Sequence, residues 1–148
     1  MKLYTIGHST RTLEELISIL NHYGIETLVD IRHFPRSRHN PQFNKELLEE
    51  EMPKNKINYI WLESIGGFRK GGYKNFMRTK EFRNGIDELM KISNNKTAIM
   101  CAEVLWFRYH RRYVADRLKR KGHEIIHIYD EKKSEPHKFF SKKKIKCD

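Results

Sequence analysis

The sequence predicts a three-layer α/β fold, in which a mainly parallel sheet of about five strands carries helices on both faces. Five short apolar runs alternate with segments of helical spacing, which is typical of parallel strands joined by helical crossovers. The runs contain few polar residues, as expected for strands that are covered on both faces. A chain of 148 residues is long enough to bury a core as one domain. We assign residues 1–130 to that domain and residues 131–148 to a lysine-rich C-terminal tail.

Composition and charge narrow the classes of function. No apolar run approaches the ~18 residues of a membrane span, and the first residues lead into a strand pattern rather than a signal peptide, so we expect a cytoplasmic protein without membrane contact. The formal net charge of +11 favours anionic partners, nucleic acid first among them. Seven lysines and three acids lie in the tail, which leaves +7 on the body. Cys101 and Cys147 form neither a disulfide framework nor a metal spacing, and we expect no metal or cofactor.

The first elements form a β-turn-α unit. Residues 3–7 read as a strand, and Thr12 with Glu15 makes a capping box that opens a helix to about residue 22. His8 and Ser9 fall in the connecting turn, at the carboxyl end of the strand. Structural capping and a functional role both remain open for His8.

The second strand spans residues 26–32 and brings Asp30 and Arg32 to its end. Residues 33–42 follow with two prolines and cannot form a regular element. Because strand ends in α/β sheets are where ligands bind, we interpret this loop, with Arg36 and Arg38, as a phosphate-binding loop. The alternative is an exposed basic loop.

The middle of the chain predicts two more helices and a third strand. Asn44 can cap a helix to about residue 52, residues 57–62 form the strand, and Thr79 starts a helix through about residue 92. Between them, residues 63–73 hold four glycines and the cation Arg69. Such a loop lets backbone amides approach a ligand, although a flexible linker or lid is the alternative.

Residues 97–116 read as strand, turn and helix, with the strand at residues 97–101, and residues 124–129 form the fifth strand. The turn and helix start carry a thiol, a carboxylate, an imidazole and guanidinium groups: Cys101, Glu103, His110, Arg108 and Arg111. Cations in the first turn of a helix oppose its macrodipole by roughly 0.3–1 kcal/mol each. We therefore expect an anion here, either a protein carboxylate or a bound ligand. Glu103 is the nearest candidate to pair with an arginine.

Several short motifs together resemble the family of domains of unknown function numbered 488. They are TIGHSTR, VDIRHFPRSR, NPQFNK, the Gly66-Gly67 loop, the stretch from Gly72-Tyr73 through Phe76-Met77, CAE and the His-Arg-Arg helix start. The resemblance covers nearly all of residues 3–128 and implies that the matching polar residues belong to one site: His8, Arg32, Arg36, Arg38, Glu103, His110 and Arg111. The family often has a second cysteine where this chain has Tyr109. A paired-cysteine metal or redox centre is therefore not expected.

Three functions are consistent with these residues. In the first, the protein is an enzyme or processing factor for nucleic acid, in which basic loops bind phosphates and Glu103 or Asp30 works with His110 in acid–base catalysis. Four aromatic residues near the basic loops could stack a base: Tyr73, Phe76, Trp106 and Tyr109. In the second, the protein is a basic module that binds nucleic acid without changing it.

The third function is a thiol enzyme acting on a small anion. Cys101 ends a strand before a turn and an arginine-bearing helix start, as in rhodanese and cysteine-phosphatase sites. The spacing from Cys101 to Arg108 is one residue longer than the phosphatase pattern, and the turn lacks glycine. A buried strand cysteine is the alternative, and we rank the thiol enzyme last.

Overall fold

The computed structural model describes residues 1–67, 69–108 and 110–139, which form an α/β domain around a six-stranded sheet. The strands are β1 (Lys2–Gly7), β2 (Thr27–Asp30), β3 (Asn58–Trp61), β4 (Thr97–Cys101), β5 (Glu124–Ile128) and β6 (Ser134–Pro136). Their spatial order is β3-β2-β4-β1-β5-β6, with every pair parallel except β5 and β6. The predicted α/β class and mainly parallel sheet are confirmed.

Five α-helices in the described residues cover the sheet: α1 (Leu13–His22), α2 (Lys45–Lys54), α3 (Tyr73–Phe76), α4 (Lys80–Ile92) and α5 (Arg111–Arg120). The apolar sides of α1 and α2 pack in one cluster with strand residues such as Ile6 and Leu28. The apolar sides of α4 and α5 pack in a second cluster with Leu3 and Val29. Val29 directly follows Leu28 of the first cluster, and Leu3 lies three positions before Ile6. Because alternate strand residues point to opposite faces, the two clusters are the two outer layers of a sandwich around the sheet.

Local capping explains where two of the helices begin. The Thr12 hydroxyl accepts from the Glu15 amide at 3.1 Å, while the Glu15 carboxylate accepts from the Thr12 amide at 2.9 Å. At α4, the Thr79 hydroxyl accepts from the Phe82 amide at 3.2 Å. Both starts agree with the sequence-based predictions, because these contacts depend on neighbours within one turn.

The cap predicted for α2 was wrong in its mechanism. Asn44 occupies the N-cap position but makes no side-chain hydrogen bond to the helix. Its Oδ1 accepts instead from the Ser37 amide at 2.8 Å and so holds the preceding loop. The helix also continues past the predicted end at about residue 52 to Lys54, with Pro53 inside its last turn.

The C-terminal region adds a strand that the sequence did not predict. β6 runs antiparallel to β5, with Ser134 opposite Ile128 and Pro136 opposite Ile126. The division into a domain of residues 1–130 and a tail stays a prediction, and residues 140–148, with Cys147, lie outside the described residues. None of the helices in the described part of the chain has the length and apolar character that crossing a bilayer requires.

The chain leaves the neighbouring parallel strands β1 and β4 in opposite directions across the sheet. From β1 the chain passes through α1 to β2 on one side, whereas from β4 it passes through α5 to β5 on the other. Loops that leave neighbouring parallel strands in opposite directions open a crevice at the carboxyl edge of the sheet, where ligands bind in open α/β folds.

Candidate functional site

A pocket of about 360 Å³ lies at this crevice. The loop after β1 supplies one side of it, the segment after β4 supplies another, and Asn40 comes from the loop after β2. The lining residues are His8, Ser9, Thr10, Asn40, Ala102, Glu103, Val104, Leu105 and Arg108. A volume of this size is at the lower end of small-molecule sites.

Close backbone contact holds the two main loops together. The amides of His8 and Ser9 donate to the carbonyls of Cys101 and Ala102, both at 2.9 Å. Gly7 allows this approach, because a Cβ at that position would lie 1.9 Å from the Glu103 carbonyl oxygen. The pocket floor is therefore fixed by the pairing of β1 with β4.

His8 is a neutral side chain on the pocket floor. It is 3% exposed, its Nε2 lies 3.2 Å from Arg32 Nη1, and its Nδ1 lies 2.8 Å from the Ser9 carbonyl. Since arginine can only donate, Nε2 accepts and Nδ1 carries the proton that goes to the carbonyl. Burial lowers the pKa of His8 to about 4, although the bond to Ser9 opposes the shift.

Asp30 and Arg32 form a buried ion pair beneath His8. Arg32 donates from Nε and Nη2 to the Asp30 carboxylate at 2.9 and 2.6 Å, and its Nη2 also donates to the Phe43 carbonyl at 2.7 Å. The Tyr59 hydroxyl donates to the same carboxylate at 2.5 Å. Asp30 is fully buried, and neither it nor Arg32 lines the pocket. Their predicted roles in catalysis and phosphate binding would require this network to open.

Glu103 is the one carboxylate in the pocket lining. It is exposed, and within the described ranges it makes no ion pair, so the expected pairing with Arg108 or Arg111 is not formed. Arg108 is also exposed and lies on the pocket rim. Of the predicted site residues, the pocket therefore brings together His8, Ser9, Glu103 and Arg108.

Cys101, His110 and Arg111 lie outside the pocket lining. Cys101 is 2% exposed in the core, and its Sγ donates to the Glu103 carbonyl at 3.5 Å. A thiol enclosed in this way is poorly placed to attack a ligand. His110 occupies the N-cap position of α5 beside Gly67, and burial lowers its pKa to about 4, with Arg111 adding to the shift. His110 therefore does not line this pocket with Glu103.

The remaining predicted cations lie on loops outside the pocket lining. Arg36 forms an exposed ion pair with Glu46, and Arg38 is exposed on the same loop. Arg69 donates to the carbonyls of Gly66 and Glu63 at 2.9 and 2.8 Å. It therefore braces the glycine-rich segment. The single polar site expected from the resemblance is divided among the pocket, the buried pair and these loop positions.

The predicted base-stacking aromatics are mostly buried. Phe76 and Trp106 are 6% and 7% exposed, and Tyr73 packs against the core cluster of α4 and α5. The Trp106 ring stacks on His127 with 4.3 Å between centroids. Tyr109 lies outside the described residues. A base that enters the pocket would have to contact other side chains.

Sequence reasoning missed several residues that build the site. Thr10 and Asn40 line the pocket, and Tyr59 and Phe43 complete the network under it. Asn40 begins the NPQFNK motif, but no local sequence pattern shows that its loop folds back towards the end of β1. Tyr59 could have been suspected only as a polar ring in an apolar strand.

Charge is distributed unequally between the two helical layers. Helices α1 and α2 carry six carboxylates against two lysines, whereas α4 and α5 carry eight basic against four acidic residues. The segment 69–79, which includes α3, adds four cations and no acid. The basic layer meets the pocket at Arg108, which precedes α5.

Comparison with known proteins identifies a family. The model of the domain of unknown function DUF488 matches residues 12–118. No curated protein and no solved structure matches the chain significantly. The matched span runs from the N-cap of α1 into the last turn of α5 and includes most of the pocket lining. The chain therefore belongs to the family of domains of unknown function DUF488.

Proposed function

We propose that the protein binds nucleic acid, DNA or RNA, through phosphate contacts on its basic layer, with one nucleotide unit entering the pocket at the carboxyl edge of the sheet. The observation that carries the proposal is the continuity of the pocket with the basic layer. Arg108 stands on the pocket rim and precedes α5, and α5 packs in the same core cluster as α3 of the cation-rich segment 69–79. Multiple lysine and arginine contacts to phosphates supply most of the affinity of nucleic-acid-binding proteins.

The basic layer has the exposure that phosphate contacts need. Lys74 and Arg78 are exposed in the segment that contains α3, and Arg108 is exposed just before α5. The opposite layer of α1 and α2 carries a net negative charge and would repel the same ligand. Nucleic acid is therefore expected to approach one face only.

The test is a set of binding isotherms by fluorescence anisotropy with labelled oligonucleotides at several salt concentrations. For the wild-type protein, log affinity should fall linearly with log salt, with a slope that counts the phosphates contacted. Lys74→Glu should weaken binding and reduce the slope by about 1. Lys96→Glu is the matched control, because Lys96 is 63% exposed at the opposite, amino-terminal end of β4. A flat salt response, or an equal loss in both variants, would contradict the proposal.

A second candidate function is processing of the bound nucleic acid, which the position of Glu103 favours. Its carboxylate stands in the pocket without an ion-pair partner among the described residues, so it is available to accept a proton from a ligand. Glu103→Gln separates the two functions. A binding protein should keep its affinity and show no turnover in either form, whereas an enzyme should lose turnover while still binding.

A further inference from the structure

Arg111 has a buried guanidinium group, and two of its nitrogen donors have no acceptor in the described structure. It is the first residue of α5 and is 1% exposed. Its side chain reaches back along the chain, where Nη2 donates to the Val104 carbonyl at 2.6 Å. Nε and Nη1 have no hydrogen-bond partner among the residues described.

The cost of this arrangement is high because an arginine cannot lose its charge. A buried charge needs a counter-ion or a full set of hydrogen bonds, and Arg111 makes no ion pair within the described parts of the chain. It also sits at the N-terminus of a ten-residue helix, where the macrodipole disfavours a cation and favours an anion. One anion at this point would satisfy the guanidinium and the helix together.

His110 precedes Arg111 and adds a second buried polar atom close to the helix start, although its ring lies against Gly67 and interacts with the Ile31 carbonyl. Its Nε2 is buried and also lacks a hydrogen-bond partner in the described ranges. Two consecutive residues at one helix start therefore hold unsatisfied polar atoms. Such atoms are rare in folded proteins and mark places where a missing ligand or ion belongs.

We propose that Arg111 and the N-terminus of α5 form an inner oxyanion subsite that takes a phosphate group. Val104, whose carbonyl holds the guanidinium, lines the pocket together with Leu105, so the subsite lies directly behind the pocket wall. Residues 102–107 form no helix or strand, and Val104 separates the pocket from the guanidinium. The subsite rests on the proposed function only for the source of its phosphate, which is the nucleotide unit in the pocket.

The competing role for Arg111 is that of a strut that only holds the Val104 carbonyl. The two roles predict opposite behaviour for Arg111→Met. If the function of Arg111 is to bind an anion, Arg111→Met should leave the melting temperature in the absence of phosphate unchanged or raise it. Apolar replacements of buried charges are often neutral or stabilising. If Arg111 is a strut, the same substitution should lower the melting temperature and leave any response to phosphate intact.

The experiment measures thermal unfolding in chloride and in inorganic phosphate at equal ionic strength. Phosphate should raise the melting temperature of the wild-type protein in proportion to the logarithm of its concentration. Arg111→Met should lose this response, with phosphate affinity falling about tenfold or more. Arg120→Met is the control, because it removes the same charge from the exposed far end of α5. A response that survives in Arg111→Met, or is absent from the wild type, overturns the proposal.

A second measurement on the wild-type protein covers the case in which Arg111→Met does not fold. The Nε–H signal of Arg111 in a nitrogen-15 NMR spectrum, assigned by its loss in Arg111→Lys, should shift saturably with phosphate and stay fixed with chloride. No shift would refute the subsite.

The source of the phosphate is then decided by comparing inorganic phosphate, a nucleoside monophosphate and the nucleoside. If the nucleoside monophosphate binds more tightly than inorganic phosphate, the phosphate comes from a nucleotide. If inorganic phosphate binds and the monophosphate does not, the subsite takes a free anion. If oligonucleotides do not bind but phosphate still shifts Arg111, the proposed function fails and the subsite stands.

Discussion

Replacing Asp30 with asparagine is expected to destabilise the fold strongly. The carboxylate is fully buried and accepts three hydrogen bonds from the Arg32 side chain and one from its amide, in addition to the bond from Tyr59. Asparagine keeps the size of the side chain but removes the charge and turns one acceptor into a donor. Arg32, only 6% exposed, would then remain charged without a counter-ion.

The magnitude follows from the burial of both partners. Breaking a buried ion pair by removing one partner costs about 3–5 kcal/mol, since the remaining charge stays desolvated. Tyr59→Phe removes only one hydrogen bond to a charged acceptor, which contributes about 1.5–3 kcal/mol. We therefore expect Asp30→Asn to have the larger effect of the two variants.

The assay is urea unfolding of both variants beside the wild-type protein, followed by oligonucleotide binding under conditions in which each is folded. Glu46→Gln is the control, because its ion pair with Arg36 is exposed and solvent screens it, so it should change the free energy of unfolding far less. If Asp30→Asn proves as stable as the wild type but loses turnover of a substrate, Asp30 is catalytic and the structural reasoning is wrong.

Three further predictions concern the pocket and its surroundings. Cys101→Ser should fold, lose about 1 kcal/mol of stability by burying a hydroxyl, and keep its oligonucleotide affinity, whereas loss of binding alone would restore the thiol mechanism. Gly7→Ala should cost roughly 1–3 kcal/mol and weaken binding, because the added Cβ would lie 1.9 Å from a carbonyl of the pocket wall; unchanged thermal unfolding would contradict this contact. Burial lowers the pKa values of His8 and His110 to about 4 and of His127 to about 2, below the usual 6.5, so the unfolded state binds more protons. The contribution of these histidines to the free energy of unfolding should therefore be complete above pH 6.5. As the pH falls below 6.5, the free energy should decrease by up to about 1.4 kcal/mol per pH unit for each histidine. A flat profile of urea midpoints between pH 6.5 and about 4 would disprove this.

Those parts of the fold that depend on local sequence could be predicted. Strand β4 was predicted at its observed bounds, Thr97–Cys101, because it is a short apolar run between polar residues. The capping box of Thr12 and Glu15 marked the start of α1, since both partners lie within one turn. In contrast, β6 has three residues, Ser134–Pro136, without an apolar pattern, and only its pairing with β5 makes it a strand.

The site was less predictable because side-chain direction is decided by packing. The rule that ligands bind at strand ends located the pocket between the loops after β1 and β4, with His8, Ser9 and Glu103 in its lining. The same rule brought in Asp30 and Arg32, which turn inward to each other. Whether a polar side chain at a strand end faces the crevice or the core depends on contacts from distant elements, such as Tyr59 on β3, and these contacts have no local signature.

The sequence also held an indication of the charged layers. Residues 1–61 contain eight basic and eight acidic residues, so the whole net charge of +11 arises after residue 61, and +7 of it lies before residue 131. Residue 61 ends β3, which is the edge strand of the sheet. Up to β3 the chain moves across the sheet in one direction, and after β3 it returns in the opposite direction to form β4 and β5. Because parallel crossovers are right-handed, this reversal places the helices of the first part on one face and those of the second part on the other. An asymmetry along the sequence thus becomes an asymmetry across the sheet, and the face of α4 and α5, which meets the pocket at Arg108, is the one that should meet an anionic partner.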